Sequence, residues 1–282
     1  MKIRKMRLEE GWYPKNDKDI LTIFESINKS FNIKNFQIDE KKIFNLAILP
    51  HAGWFFTQNI IFNCFKILAK ESIDMVVLIG GHQDQNGTPL ILNYDYFDTP
   101  LGQIKGEEEL VNKLINIFKM KEESDFIFDN TIEIFLPFIK YFFPNSLIVA
   151  YYSPANDLSF LISDFIYNYL IEKKLKFICI GSADLTHYGP NYYFTPAGIG
   201  KKSFEWAKEN DYKLINFAIN LDYISIIESY QELKFTCSPN SIISIINFAK
   251  LLKKDKGFLL EYYNSYYKMA SSSFVGYASI IY

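Results

Sequence analysis

The sequence predicts an α/β fold in a single domain spanning residues 1–282, with a mostly parallel central sheet and helices on both faces. Three observations carry this reading. Apolar runs such as Met75-Val76-Val77-Leu78-Ile79 lack polar alternation and read as strands buried on both faces. Segments with apolar residues three and four apart alternate with those runs. No repeat, low-complexity tract or linker breaks the alternation.

The elements follow in order. Phe44 to Leu49 is a strand stopped by Pro50, and Thr57 to Lys70 is a helix carrying Ile60, Ile61, Cys64, Ile67 and Leu68 on its apolar stripe. Met75 to Ile79 is the next strand, closed by Gly80-Gly81. Pro89 to Asn93 reads as a strand in a hairpin region reaching Gly102. Helices are predicted over Glu107 to Lys119 and Ile132 to Phe143, then a strand over Ser146 to Ala150. A helix over Leu158 to Lys173 and a strand over Lys176 to Ile180 continue the pattern. Two or three helices occupy Lys201 to Lys253, before final strands at Gly257 to Tyr263 and Phe274 to Tyr282. In such folds ligands sit at the carboxyl ends of the strands.

Composition narrows the function classes. Lys+Arg 30 against Asp+Glu 32 gives a formal charge of -2, which excludes the basic footprint of a nucleic-acid binder. No apolar run is long enough to span a bilayer: Ile60 to Leu68 contains Asn63 and Lys66, and Ile242 to Phe248 contains Ser244 and Asn247. The charged start, Met1 to Glu10, leads into Gly11-Trp12-Tyr13-Pro14 instead of an apolar signal core, so a cytoplasmic location is expected. Cys64, Cys179 and Cys237 are an odd number at wide spacing, which fits no disulfide framework.

Only three histidines exist, and each follows an apolar strand. They stand in Pro50-His51-Ala52-Gly53-Trp54, Gly80-Gly81-His82 and Asp184-Leu185-Thr186-His187-Tyr188-Gly189. A parallel sheet puts all three on one rim, where converging neutral imidazoles suit a transition metal that still needs an anionic ligand. Cys237 is the best candidate. Ser238 reads as an N-cap and Pro239 as the first helical position, so the helix dipole would favour a thiolate at Cys237. A small buried apolar residue is the other reading of Cys237, and it is the preferred one for Cys64 and Cys179.

These blocks resemble the Memo family, whose bacterial and archaeal members are called AmmeMemoRadiSam system protein B. Gly11-Trp12-Tyr13-Pro14, Pro50-His51-Ala52-Gly53-Trp54, Gly81-His82, Thr99-Pro100-Leu101-Gly102, Thr131-Ile132-Glu133 with Leu136-Pro137-Phe138, and Ser182-Ala183-Asp184-Leu185-Thr186-His187-Tyr188-Gly189 match its motifs in order. The family's Tyr-Ser-Gly is Phe56-Thr57-Gln58 here, and Asn130 stands where it has a histidine. Its Cys-Gly-Arg-x-Pro-Ile block survives as Cys237 and Ile242.

The resemblance implies a fold shared with class III extradiol dioxygenases. It also implies a mononuclear site in which His51, His82 and Cys237 replace the two His and Glu of those enzymes. His187 would be the acid/base histidine, with Asp184 orienting it or serving only as a turn-former. Iron (Fe2+) or copper is the implied cofactor, with zinc as a further option, and oxidoreductase chemistry the implied activity. Trp12, Trp54 and Tyr188 would wall the pocket or else pack the core, with Glu133 as a further substrate contact. The partner would be a small molecule or a peptide, with radical SAM and AMMECR-type proteins as functional associates. Two other readings stand beside this one. One is a binding module that uses the pocket without catalysis, and the other a metal-free enzyme with Cys237 as nucleophile and His187 as base.

Overall fold

The computed structural model describes residues 1–39, 41–83, 85–123 and 129–282. The strands are β1 (Ile3–Arg4), β2 (Leu46–Leu49), β3 (Met75–Gly80), β4 (Leu90–Ile91), β5 (Tyr96–Phe97), β6 (Ile104–Gly106), β7 (Lys121–Glu122), β8 (Leu147–Tyr152), β9 (Phe177–Ser182), β10 (His187–Tyr188), β11 (Phe258–Asn264) and β12 (Phe274–Ile281). The helices are α1 (Asp17–Ser30), α2 (Trp54–Leu68), α3 (Glu108–Phe118), α4 (Asn130–Glu133), α5 (Leu136–Phe142), α6 (Asp157–Glu172), α7 (Lys201–Ile219), α8 (Tyr223–Leu233) and α9 (Pro239–Leu251).

The strands form one mixed sheet in the order β1-β5-β6-β8-β3-β9-β2-β12-β10, with β11 beside β12, β4 beside β8 and β7 beside β4. Its centre, β8-β3-β9-β2, is parallel throughout, with Leu49 level with Ser182 and Ile79 level with Gly181. The carboxyl ends of β2, β3 and β9 therefore open on one rim. Strand β12 closes the sheet antiparallel to β2, pairing Ile280 with Ile48.

Both faces of the sheet are covered, and successive strand residues serve opposite layers. Val76, Leu78 and Ile180 join α1, α2 and α5 in a core that includes Phe24, Ile61, Phe65 and Phe138. Val77, Ile79 and Cys179 join α3, α6 and α9 in a second core that includes Leu110, Ile166 and Ile245. Burying one such side chain contributes about 1.5–3 kcal/mol, so the two layers hold the rim on a rigid base.

Three elements differ from the sequence reading. The apolar positions Ile20, Phe24 and Ile27 form the buried stripe of α1, a helix capped by Asn16, whose side chain accepts the Asp19 N–H. The predicted helix over 132–143 is two pieces, α4 and α5, because Pro137 sits in the first turn of α5 and cannot continue a helix begun before it. Strand β10 places His187 on the sheet edge, level with Val275 of β12.

Candidate metal centre

Each candidate ligand arrives from a different element. Pro50 ends β2, and the His51 backbone is then fixed on both sides. Its N–H donates to Asp184 Oδ1 at 2.8 Å, and its carbonyl accepts from Asn130 Nδ2 at 2.7 Å. The His51 ring is buried, with Nδ1 against Ser182 Oγ at 2.8 Å. That contact leaves Nε2 facing the rim.

His82 follows β3 through Gly80-Gly81. A side chain at Gly81 would overlap Ser238, and one at Gly80 would overlap the Tyr152 ring, so only glycine lets α9 and Tyr152 approach this closely. The pair leads into His82 at φ 57°, the left-handed region that His enters more readily than most residues. Its Nδ1 meets Asp129 Oδ2 at 3.0 Å, and its side chain is 37% exposed.

Cys237 precedes α9, with Ser238 as the cap residue and Pro239 in the first turn. The Ser238 hydroxyl does not cap the helix; it lies 3.3 Å from the Cys237 sulfur. Asn240 Nδ2 donates to the Gly80 carbonyl at 2.8 Å and Ser241 Oγ to the Ser182 carbonyl at 2.7 Å. These two bonds pin the start of α9 to the ends of β3 and β9. Cys237 Sγ consequently stands 3.3 Å from His51 Nε2.

The donor atoms of His51, His82 and Cys237 all lie within 4.8 Å of one another. The two imidazole rings are 4.9 Å apart and nearly perpendicular. An ion held at bond lengths of about 2.0–2.3 Å spaces tetrahedral ligands about 3.4 Å apart, so a small closure of the group would suffice. Both imidazoles are oriented by a hydrogen bond at the other ring nitrogen, as metal-binding histidines are.

Charge in the group is already separated. Burial holds the Cys237 thiol up, but His51, the His82 hydrogen bond and the His187 charge outweigh it and bring it well below its ordinary value. Burial disfavours His82 as a cation, yet Asp129 and Cys237 raise it to about 10. His51 is raised against its own burial by Asp184 and then Cys237. The surroundings thus favour the thiolate of Cys237 and the protonated forms of both imidazoles, and a cation bound there would take the place of those protons.

Asp184 is buried and lies between two histidines. Its Oδ2 is 3.8 Å from His51 Nε2 and 3.7 Å from His187 Nε2. Its carbonyl accepts from Thr236 Oγ1, tying the His187 loop to the segment before Cys237. His187 is raised above its ordinary value, with Asp184 and Cys237 outweighing desolvation. Its ring stacks on Tyr192 at 4.8 Å, and the imidazole hydrogen-bonded to the Cys237 sulfur at 3.3 Å is that of His51, not His187. Beside the group, a cavity of about 410 Å³ is lined by His187, Tyr192, Phe194, Tyr230, Lys234 and Cys237, among others.

The other expected contacts lie elsewhere. Trp54 is core packing, buried against Phe24 and Phe138 with its indole N–H donating to the Ile134 carbonyl. Trp12 is half-buried and packs at the edge of the same core. Tyr188 stacks on Phe274, and its hydroxyl donates to the Gly198 carbonyl. Glu133 is saturated: it accepts from Arg4, from the backbone N–H groups of Arg7 and Leu8, and from Tyr13. Asp129 and Ser182, which orient the two imidazoles, stand far in sequence from the histidines they contact, and no local signal ties them to those rings.

The sequence model of the Memo-like protein family matches residues 4–281. The chain belongs to the Memo-like family. A MEMO1 family protein of Methanosarcina acetivorans is 25% identical, with 100% of this chain and 99% of the relative aligned. Another, from Pyrococcus abyssi, is 25% identical over 96% of each chain. One from Methanosarcina barkeri is 28% identical over 87% of this chain and 88% of its own. The Memo-like match spans every element that builds the rim. Among the described residues, no helix is long and apolar enough to cross a membrane.

Proposed function

We propose that this Memo-like protein holds one iron or copper ion between His51, His82 and Cys237 and serves as an oxidoreductase on a small molecule or peptide. The observation that carries this reading is the convergence of two braced imidazoles and a thiolate within 4.8 Å. A thiolate with two imidazoles selects transition metals over hard cations, with zinc the redox-inert competitor. A bound redox-active ion would supply oxygen or substrate activation at its open positions.

The chain's own groups do the rest. His51 and His82 are fixed through Ser182 and Asp129. The Asp184 carboxylate, 3.7 Å from His187 Nε2, would favour a proton there, at the wall of the cavity through which a substrate would reach Cys237. The aromatic lining would exclude water from that side. Three unpaired thiols suit a reducing cytoplasm, where radical SAM and AMMECR-type proteins would be its associates.

Anaerobic loading followed by metal analysis and oxygen uptake tests this. The wild-type chain should bind one equivalent and consume oxygen with a suitable reductant. His51→Ala and His82→Ala should lose the ion. His187→Ala should keep it and lose about 10²-fold or more in turnover. Unchanged stoichiometry in the ligand variants would refute the site. A loaded protein without turnover would leave a binding module.

A further inference from the structure

A second cavity lies at the opposite end of the sheet, where the strand that carries His51 begins. It holds about 340 Å³ and is lined by Lys42, Lys253, Lys254 and Lys256 with Phe44 and Phe258. Lys42 precedes β2, and the other three lysines follow α9. We propose that this cavity binds a compact polyanion of the di- or triphosphate type.

The argument rests on charge and shape. The chain as a whole carries a formal charge of -2, yet among the described residues Asp255 is the only acid lining this cavity. Some lysines elsewhere do meet carboxylates: Lys2 meets Glu122, Lys113 and Lys173 meet Glu109, and Lys176 meets Glu71. Among the described residues, no carboxylate pairs with any of the four here. Two of the ammonium groups stand over one ring, Lys42 Nζ at 5.0 Å and Lys256 Nζ at 5.8 Å from the centre of Phe258. Lys254 is half-buried, and desolvation followed by repulsion from Lys42 lowers its pKa.

Cations that repel one another without a carboxylate are a cost to the fold that an anion would relieve. Lysine is a point-charge binder of phosphate and does not demand the planar geometry that arginine suits. The concave shape and modest volume fit a small molecule better than a polymer backbone or a bilayer.

Calorimetry with inorganic triphosphate, pyrophosphate, ATP and adenosine, paired with thermal melting, tests the site. Triphosphate should bind saturably at one equivalent, weaken with added salt and raise the melting temperature. The Lys42→Gln/Lys254→Gln double variant should bind at least tenfold more weakly while melting, without ligand, no lower than wild type. Lys256→Gln, on an exposed side chain, should weaken binding in the same direction without putting folding at risk. Tighter binding of ATP than of triphosphate would identify a nucleotide as the ligand, and equal binding the phosphates alone. Failure of every phosphate to saturate, binding indifferent to the lysine variants, or association with RNA or anionic vesicles only, would overturn the proposal.

Discussion

Replacing Asp211 by Asn should change how the stability of the protein depends on pH. Asp211 lies fully buried on α7, under the strand that carries His187. One carboxylate oxygen accepts the Thr186 backbone N–H at 2.9 Å, and the other accepts the Tyr262 hydroxyl at 2.8 Å. Gly276 leaves room for it, since a side chain there would collide with the carboxylate. Burial dominates these bonds and raises the acid from 3.8 to about 7.

Between those values the folded chain holds a proton that the unfolded chain has released. This contribution to stability is therefore complete below pH 4, falls as pH rises, and is lost by about pH 7. It amounts to about 4 kcal/mol across the window, at about 1.4 kcal/mol per pH unit. Asp211→Asn keeps an acceptor for Thr186 and cannot ionise. Its melting temperature relative to wild type should rise through that window by about 8 °C, on the scale of a chain this large. Melting both proteins at a series of pH values reads the difference directly and cancels the other titrating groups. A difference that stays flat from about pH 4.5 to 8 would refute the burial argument.

Two further outcomes follow from the same kind of reasoning. Glu133→Ala should cost about 3–5 kcal/mol, read as a lower urea midpoint, because it leaves the buried Arg4 guanidinium short of a carboxylate; Arg4→Met in the same chain should recover part of the loss. Asp129→Ala should weaken metal binding about 10- to 100-fold without abolishing it, since it removes the orienting partner of His82 and not a ligand, and an unchanged affinity in a competition titration would show that His82 needs no such partner.

The fold was legible where hydrophobic pattern is local. Met75 to Ile79 and the runs at 147–150 and 177–180 could be read as buried strands because both faces of a parallel centre are covered. The stripe Ile20, Phe24 and Ile27 behind the Asn16 cap carried an equally local signal, which the charged residues around it obscured. Of the site, His51, His82 and Cys237 could be singled out because each stands at the end of a strand or the start of a helix. Their supports could not. Asp129 and Ser182 are 47 and 131 residues from the histidines they orient, and no spacing rule links them. Trp54 misled for a related reason: it shares a turn with His51, but the first turn of α2 carries its ring into the core beside Phe138.

The two histidines also differ in how much freedom they retain. His51 is held through its backbone N–H, its carbonyl and both ring nitrogens, and Cys237 leans on it. His82 is partly exposed, with Asp129 on one ring nitrogen and the Cys237 sulfur as its other neighbour. Closing the three donors around a guest therefore freezes one side chain instead of three, for a conformational entropy cost of about 1 kcal/mol. Most of the ordering was completed when the chain folded, and His82 alone remains to be recruited.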